Sequence, residues 1–195
     1  MILREIAQSV LGEIDCRPLQ PLVDELDRQV PGGKSGWTEV RAWCQRVEQF
    51  SDYFDPLVGD PFDALLICMD LDIAIRAGIQ KAPENLASYD ATALCSVVKT
   101  WLPAPIHKHV IIAIPVMSTE AWIVAALFPK EKRPEHVLDP AQMLVKKGKI
   151  EQGKAGPWKR SKEYRVFSKV VVDRLSRVRD ECHEANRLGV DLILA

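Results

Sequence analysis

The feature that most constrains this chain is an apolar run over residues 64–69 (ALLICM) that ends at two acids, Asp70 and Asp72. Apolar residues without polar alternation are typical of a strand buried on both faces, which favours a parallel sheet in an α/β domain. Residues two apart in a strand lie on the same side, so Asp70 and Asp72 are expected to converge at its carboxyl end. Open α/β sheets bind ligands at that edge. We therefore expect the pair to hold Mg²⁺ or Mn²⁺, since carboxylate oxygens suit hard divalent cations.

A second apolar strand is predicted over residues 110–116, and Ser118, Thr119 and Glu120 open the helix that follows it. Ser118 or Thr119 can cap that helix, and Glu120 in its first turn suits the helix dipole. If the two strands run parallel, Glu120 reaches the same edge as the two aspartates. Three carboxylates there suit metal-assisted phosphoryl chemistry. The alternative is that these acids only complement the N-termini of the helices that follow.

Helices alternate with the two strands along the chain, which predicts an α/β fold with a mostly parallel sheet flanked by helices. Helices are predicted over residues 2–14, 38–53, 86–101 and 140–147, with a long amphipathic helix over 164–186 and a last strand or packed tail over 190–194. The expected organisation is an α/β core over residues 1–129. Residues 130–195 then form a basic, loop-rich segment and a long C-terminal helix that packs on the core.

Charge is distributed unevenly along the chain. Residues 1–100 carry 9 basic and 16 acidic side chains, whereas residues 130–165 carry 11 basic and 5 acidic ones. A basic segment beside an acidic core favours an anionic partner such as DNA or RNA, with a solvated surface or a protein contact as the alternatives. Trp158 or Tyr164 could stack on a base while cations follow the phosphates. The candidate nucleic-acid-binding residues are Lys146, Lys147, Lys149, Lys154, Trp158, Lys159, Arg160 and Lys162.

The five cysteines are scattered and show no Cys-x-x-Cys spacing, which indicates reduced thiols in a cytoplasmic protein and argues against structural zinc. Every apolar run is shorter than the roughly 18 residues of a membrane span. The N-terminal residues also lack the pattern of a signal peptide. We therefore expect no membrane partner; a homo-oligomer stays open.

The order of apolar strand, Asp-x-Asp, helix, second apolar strand and Ser-Thr-Glu-Ala-Trp helix resembles the Toprim superfamily. It is most similar to uncharacterised bacterial Toprim-like proteins related to overcoming-lysogenisation-defect nucleases and abortive-infection systems. The resemblance covers roughly residues 1–128, with Asp70-x-Asp72 matching the second acidic motif and residues 116–127 resembling a Glu-x-Trp segment. It implies a Toprim-like, Rossmann-like fold and a Mg²⁺-dependent nuclease site in which Asp70, Asp72 and Glu120 are catalytic. It also implies an ATPase subunit as a frequent partner in antiphage defence.

The sequence departs from the Toprim pattern at its first motif. Toprim domains begin with a strand that ends in Glu, often followed by Gly, whereas residues 2–14 predict a helix here. Glu5 lies within that helical pattern and Glu13 lies at its end. A non-catalytic interaction subunit, whose open sheet edge pairs with another chain, therefore stays open.

A haloacid-dehalogenase-like phosphatase is the third interpretation, because that family also uses a strand that ends in Asp-x-Asp. Asp70 would be the nucleophile, Asp72 the acid/base, and Ser118 the second motif. Ala74 stands where the family has a hydroxyl residue, however, and Asp191 stands alone where a late pair of acids is expected.

Overall fold

Two short strands, Leu65–Cys68 (β1) and Val110–Ala113 (β2), pair in parallel, with Leu65 opposite Val110 and Cys68 opposite Ala113. The computed structural model describes residues 2–17, 19, 36–46, 53–55, 57, 61–76, 78, 91–154, 156–157 and 160–194. Within this part of the chain the fold is mixed α/β and mainly helical. The predicted α/β class and the parallel pairing are therefore confirmed.

Helices surround this parallel pair. The α-helices are Ile2–Leu11 (α1), Trp37–Cys44 (α2), Leu71–Arg76 (α3), Ala91–Thr100 (α4), Glu120–Leu127 (α5), Pro140–Lys146 (α6), Ser161–Asp173 (α7), Leu175–Glu181 (α8) and His183–Leu194 (α9). Two 3₁₀ helices cover Ala104–His109 and Pro134–His136, and an antiparallel hairpin joins Gln152–Gly153 (β3) to Gly156–Pro157 (β4). No helix among the described residues is both long and apolar enough to cross a membrane.

The parallel pair lies between two apolar clusters. One face, with Leu65, Ile67 and Ile112, packs with residues of α2 and α4. The other face, with Ile111 and Ala113, packs with α1, α5 and the three C-terminal helices. Burial on both faces explains why the strand sequences are apolar without alternation.

Helix α5 is buried along almost its whole length, since every residue from Glu120 to Ala126 is buried. A helix in this position must satisfy its terminal carbonyls within the protein. Arg174 donates a hydrogen bond to the carbonyl of Ala126 (2.6 Å), and Arg177 donates to those of Ala125 (2.9 Å) and Pro129 (2.7 Å). The positive guanidinium groups also complement the negative end of the helix dipole.

The C-terminal region forms three helices, so the single long helix expected over residues 164–186 is wrong. The backbone leaves helical geometry at Arg174 (φ −120°, ψ 26°) and at Cys182 (φ −124°, ψ 106°). These breaks redirect the chain around α5, and the Cys182 side chain is fully buried beside it. Residues 190–194, expected as a strand or packed tail, lie in α9. The amphipathic character expected for this region is seen in Phe167, Val171 and Val178, which are buried.

Other expected elements are confirmed in part. α1 and α6 match their predicted ranges closely. α2 ends at Cys44, well before Tyr53, and the stretch 47–52 lies outside the described residues, as does the start of the helix expected over 86–101. Trp43 and Cys44 lie on the buried side of α2, as the apolar spacing predicts.

Replacing Arg177 with Met should lower the free energy of unfolding by about 2–3 kcal/mol, because the carbonyls of Ala125, within buried α5, and of Pro129 lose their charged donor. Urea unfolding followed by circular dichroism measures the change. Arg165→Met, on an exposed position of α7, is the matched control and should change stability by about 0.5 kcal/mol or less. Equal effects of the two substitutions would contradict this role for Arg177.

A buried carboxyl, Glu135, joins α5 to the N-terminus of α9. It accepts hydrogen bonds from the Trp122 indole (3.2 Å) and from the backbone N–H of Glu184 (3.3 Å). Burial raises the pKa of Glu135 from 4.5 to about 7, and the nearby Glu184 carboxylate adds to the rise while the hydrogen bonds oppose it. The folded protein therefore holds a proton that the unfolded chain loses at a lower pH.

The free energy of unfolding should fall as pH rises from about 4.5 to about 7, because folding takes up a proton at Glu135 across this window. Stability from this source is complete below pH 4.5, and the loss levels off above pH 7 at about 3 kcal/mol. Glu135→Gln keeps an acceptor for Trp122 and should flatten the profile. Glu131→Gln, in the preceding loop, is the control. A profile in Glu135→Gln as steep as in the wild type would exclude this origin.

Candidate functional site

The carboxyl ends of β1 and β2 lie at the same edge of the sheet, as the sequence predicts for parallel strands. Backbone pairing continues past both strands, since Met69 N–H donates to the carbonyl of Ala113 and Leu71 N–H to that of Pro115, each at 3.0 Å. Asp70 lies within this extended pairing. The loop after β2 leads directly into Glu120 at the start of α5. Both acids therefore come from the edge where α/β sheets bind ligands.

Asp72 does not share a strand face with Asp70, so the expected convergence of the two acids through strand alternation is wrong. β1 ends at Cys68, and α3 begins at Leu71, which places Asp72 in the first helical turn. The physical reason is that Leu71, which is fully buried, and the following turn (Ile73 N–H to the Asp70 carbonyl, 3.1 Å) commit the chain to a helix. Asp72 there complements the helix dipole, as the capping alternative requires.

A cavity of about 380 Å³ opens at this edge. Asp70 and Thr119 line it beside Cys68, and Tyr164 reaches it from α7. Apolar side chains from α1, α2 and α3 form most of the remaining wall. Asp72 and Glu120 are not among the described residues that line the cavity.

Glu120 is buried, with 2% of its surface exposed, and its carboxylate accepts a hydrogen bond from the Tyr164 hydroxyl at 2.6 Å. Burial raises the pKa of Tyr164, and the Glu120 charge and this hydrogen bond raise it further. The phenol therefore stays protonated and acts as a donor. Tyr164, which donates this hydrogen bond, is the member of the pair that lines the cavity among the described residues.

Thr119 occupies the N-cap position of α5, but its side chain makes no capping hydrogen bond. The backbone carbonyls of Ser118 and Thr119 accept from Ala121 (3.0 Å) and Trp122 (3.1 Å) instead. The expected hydroxyl cap is therefore wrong, and Thr119 is positioned as a wall of the cavity.

The pKa of the Cys68 thiol depends on the acids around it. Burial raises the pKa of the Cys68 thiol, and the negative charges of Asp70 and Glu120 raise it further. Both carboxylates therefore act on the same point at the end of β1. Asp70 and Glu120 therefore contribute negative charge near the end of β1.

Sequence reasoning did not identify Tyr164 as a partner of Glu120. The two residues are separated by 44 positions, and Tyr164 occupies the first turn of an amphipathic helix, where an aromatic residue is typical of core packing. In the sequence, the position of Tyr164 at the end of the basic segment was the single sign of a functional role. Tertiary packing of α7 on α1 and α5 makes the pairing.

The described part of the chain contains no group of three or more His, Cys, Asp or Glu side chains placed to hold a metal ion. Mg²⁺ in proteins often uses one or two carboxylates and keeps several waters. Metal binding by Asp70 and Asp72 stays a prediction.

The basic segment is partly structured. Lys146 ends α6, Lys147 lies 5.8 Å from the centre of the Phe128 ring, and Arg160 forms a two-point ion pair with Glu151 at 3.2 and 2.7 Å. That pair closes the β3–β4 hairpin. Lys149, Lys154 and Lys162 are exposed, whereas Trp158 and Lys159 lie outside the described residues.

Comparisons with protein-family models, with curated proteins and with solved structures found no match to this chain.

Removing the Tyr164 hydroxyl with Tyr164→Phe should lower the free energy of unfolding by about 1–3 kcal/mol, because a buried carboxylate loses a donor. In a double-mutant cycle with Glu120→Gln, the two changes should couple by about 1 kcal/mol or more. Urea unfolding at pH 7 measures all four proteins. Val166→Ala, exposed on the same helix, is the control and should be additive with Glu120→Gln. If Tyr164→Phe and Glu120→Gln were also strictly additive, this would contradict a direct hydrogen bond between Tyr164 and Glu120.

Proposed function

We propose that this chain is a Toprim-like, Mg²⁺-dependent nuclease, or a subunit derived from one, that acts on DNA or RNA phosphodiesters in antiphage defence. The observation that carries the proposal is the parallel pairing of β1 and β2. It places Asp70 in a cavity and Glu120 beside it at the carboxyl edge of the sheet. The Asp-x-Asp and Glu-x-Trp segments that resemble Toprim motifs flank this edge.

The negative charges near the end of β1 support a cation there. Asp70 and Glu120 each raise the pKa of the Cys68 thiol, and a cation near Cys68 would be attracted by both carboxylates. Asp70 and Asp72 would hold the ion, as the resemblance implies. Mg²⁺ bound at such a site stabilises charge on the attacking and leaving oxygens of a phosphodiester.

Glu120 assists in this proposal through its charge and through Tyr164. Its carboxylate is buried, so the Tyr164 hydroxyl is fixed in orientation, and the phenol ring is held at the cavity wall. One carboxylate, Asp70, therefore lines the cavity, and a second, Glu120, is bonded to Tyr164 in the cavity wall.

The exposed cations of the basic segment would follow the phosphate backbone. Lys162 lies in the first turn of α7, two residues before Tyr164, which brings a positive charge into the element that lines the cavity. Arg160 is already paired with Glu151, so its contribution would be to shape the hairpin. An ATPase partner and a cytoplasmic location belong to the same proposal.

The two alternatives fit the geometry less well. In a phosphatase, a late acid would approach Asp70, yet Asp191 binds Arg187 (2.9 Å) and lines a different cavity with Val110 and Ile111 at the start of β2. For the interaction subunit, α9 packs against β2, and Arg187 donates to the carbonyl of Ile112 (2.8 Å), which covers part of that strand's outer edge.

Replacing Asp70 and Asp72 together with Asn should reduce Mg²⁺-dependent cleavage of DNA or RNA about a hundredfold or more, because charge stabilisation at the phosphodiester is lost. Cleavage is measured on labelled single-stranded and double-stranded substrates with Mg²⁺, Mn²⁺ or chelator. The control is Asp63→Asn, an exposed acid just before β1, which should cleave like the wild type. Full cleavage by the double variant would refute the assignment.

A further inference from the structure

The cavity at the sheet edge has walls that a metal ion and a phosphate do not explain. Trp37 of α2 and Tyr164 of α7 both line it, together with aliphatic side chains that include Ile2, Val40 and Ile73. Apolar and aromatic walls stabilise a ligand by burying its own apolar or π surface. A hydrated cation or a phosphate group has no such surface.

Two of the described residues that line the cavity, Asp70 and Thr119, offer polar groups to a ligand. The Asp70 carboxylate accepts hydrogen bonds, and the Thr119 hydroxyl both donates and accepts them. A cavity of about 380 Å³ with mainly apolar walls and a few polar atoms is typical of a small-ligand site. The ligand that matches this surface is flat, aromatic and edged with hydrogen-bonding atoms.

We propose that this cavity binds a nucleobase, with its ring against Trp37 and Tyr164 and its polar edge toward Asp70 and Thr119. The inference rests on the proposed function and deepens it, because it names an unpaired nucleotide as the group that the site recognises. Base-to-aromatic stacking tolerates different sequences, since every base has a π face.

A base within a duplex is stacked and paired, so it reaches such a cavity only after it leaves the helix. Single-stranded nucleic acid and free nucleotides present the base directly. These are two sources of one chemistry, and they differ in whether neighbouring phosphates add to the affinity.

The test measures binding to the whole chain by isothermal titration calorimetry in the presence of EDTA, so that it does not depend on metal or on cleavage. The ligands are the four nucleoside monophosphates, ten-residue single strands, a ten-base-pair duplex, and ribose 5-phosphate as the ligand without a base. We expect the nucleoside monophosphates to bind at least tenfold more tightly than ribose 5-phosphate. We likewise expect the single strands to bind at least tenfold more tightly than the duplex. Tighter binding of the single strands than of the monophosphates identifies a strand as the source, and the reverse order identifies a free nucleotide.

Trp37→Leu should weaken binding about tenfold, because it keeps an apolar wall but removes the ring. Phe54→Leu is the matched control, since this half-buried aromatic stacks on His109 away from the cavity. Thermal unfolding by circular dichroism checks that each variant is folded, and the comparison of ligands on the wild type requires no variant.

Ribose 5-phosphate binding as tightly as the nucleotides would overturn the inference, as would a folded Trp37→Leu protein with wild-type affinity. Absence of nucleotide and single-strand binding would do the same. The proposed function fails separately. Base-dependent binding in EDTA without Mg²⁺-dependent cleavage would support the base site and refute the nuclease proposal. Mg²⁺-dependent cleavage without base-dependent binding would support the nuclease proposal and refute the base site.

Discussion

The rest of the structure depends on one constraint, which is that α5 is a helix without an exposed face. Its side chains gain stability from burial, and its terminal polar groups find partners within the protein. Arg174 and Arg177 supply donors at its carboxyl end, and Tyr164 binds Glu120 at its amino end. Glu135 accepts from Trp122 near the middle. All of these partners follow α5 in the chain, so the later helices complete the fold rather than add to a finished core.

The same constraint builds the candidate site. Because the amino end of α5 begins at the carboxyl edge of the sheet, the group that satisfies Glu120 must also lie at that edge. Tyr164 meets this need and, with its ring, closes part of the cavity wall. A contact that stabilises a buried helix thereby places an aromatic surface beside Asp70. The site joins elements from both ends of the described chain, since α1, α2 and α7 all contribute to its walls.

The cavity combines negative charge with an apolar and aromatic surface. The charges of Asp70 and Glu120 near the end of β1 suit a cation, while aromatic and aliphatic side chains in the cavity suit a flat apolar ring. A nucleotide has both kinds of partner surface, since its phosphates bind Mg²⁺ and its base stacks. In the proposed function, the exposed lysines of the basic segment would bind the phosphates of a longer strand.

The sequence by itself determined the elements whose signal is local. The apolar run over 64–69 and the one over 110–116 predicted two strands buried on both faces, and Glu120 was correctly placed at the start of the helix after β2. Local pattern failed where a distant contact decides the backbone. The turn at Asp70 depends on Leu71 being buried while its N–H pairs with Pro115, so Asp72 entered a helix rather than a strand face. The breaks at Arg174 and Cys182 interrupt an amphipathic pattern that predicts one continuous helix, and the first of them lies at a residue that donates to the carbonyl of Ala126. The link between Tyr164 and Glu120 spans 44 positions, and only tertiary packing could make it.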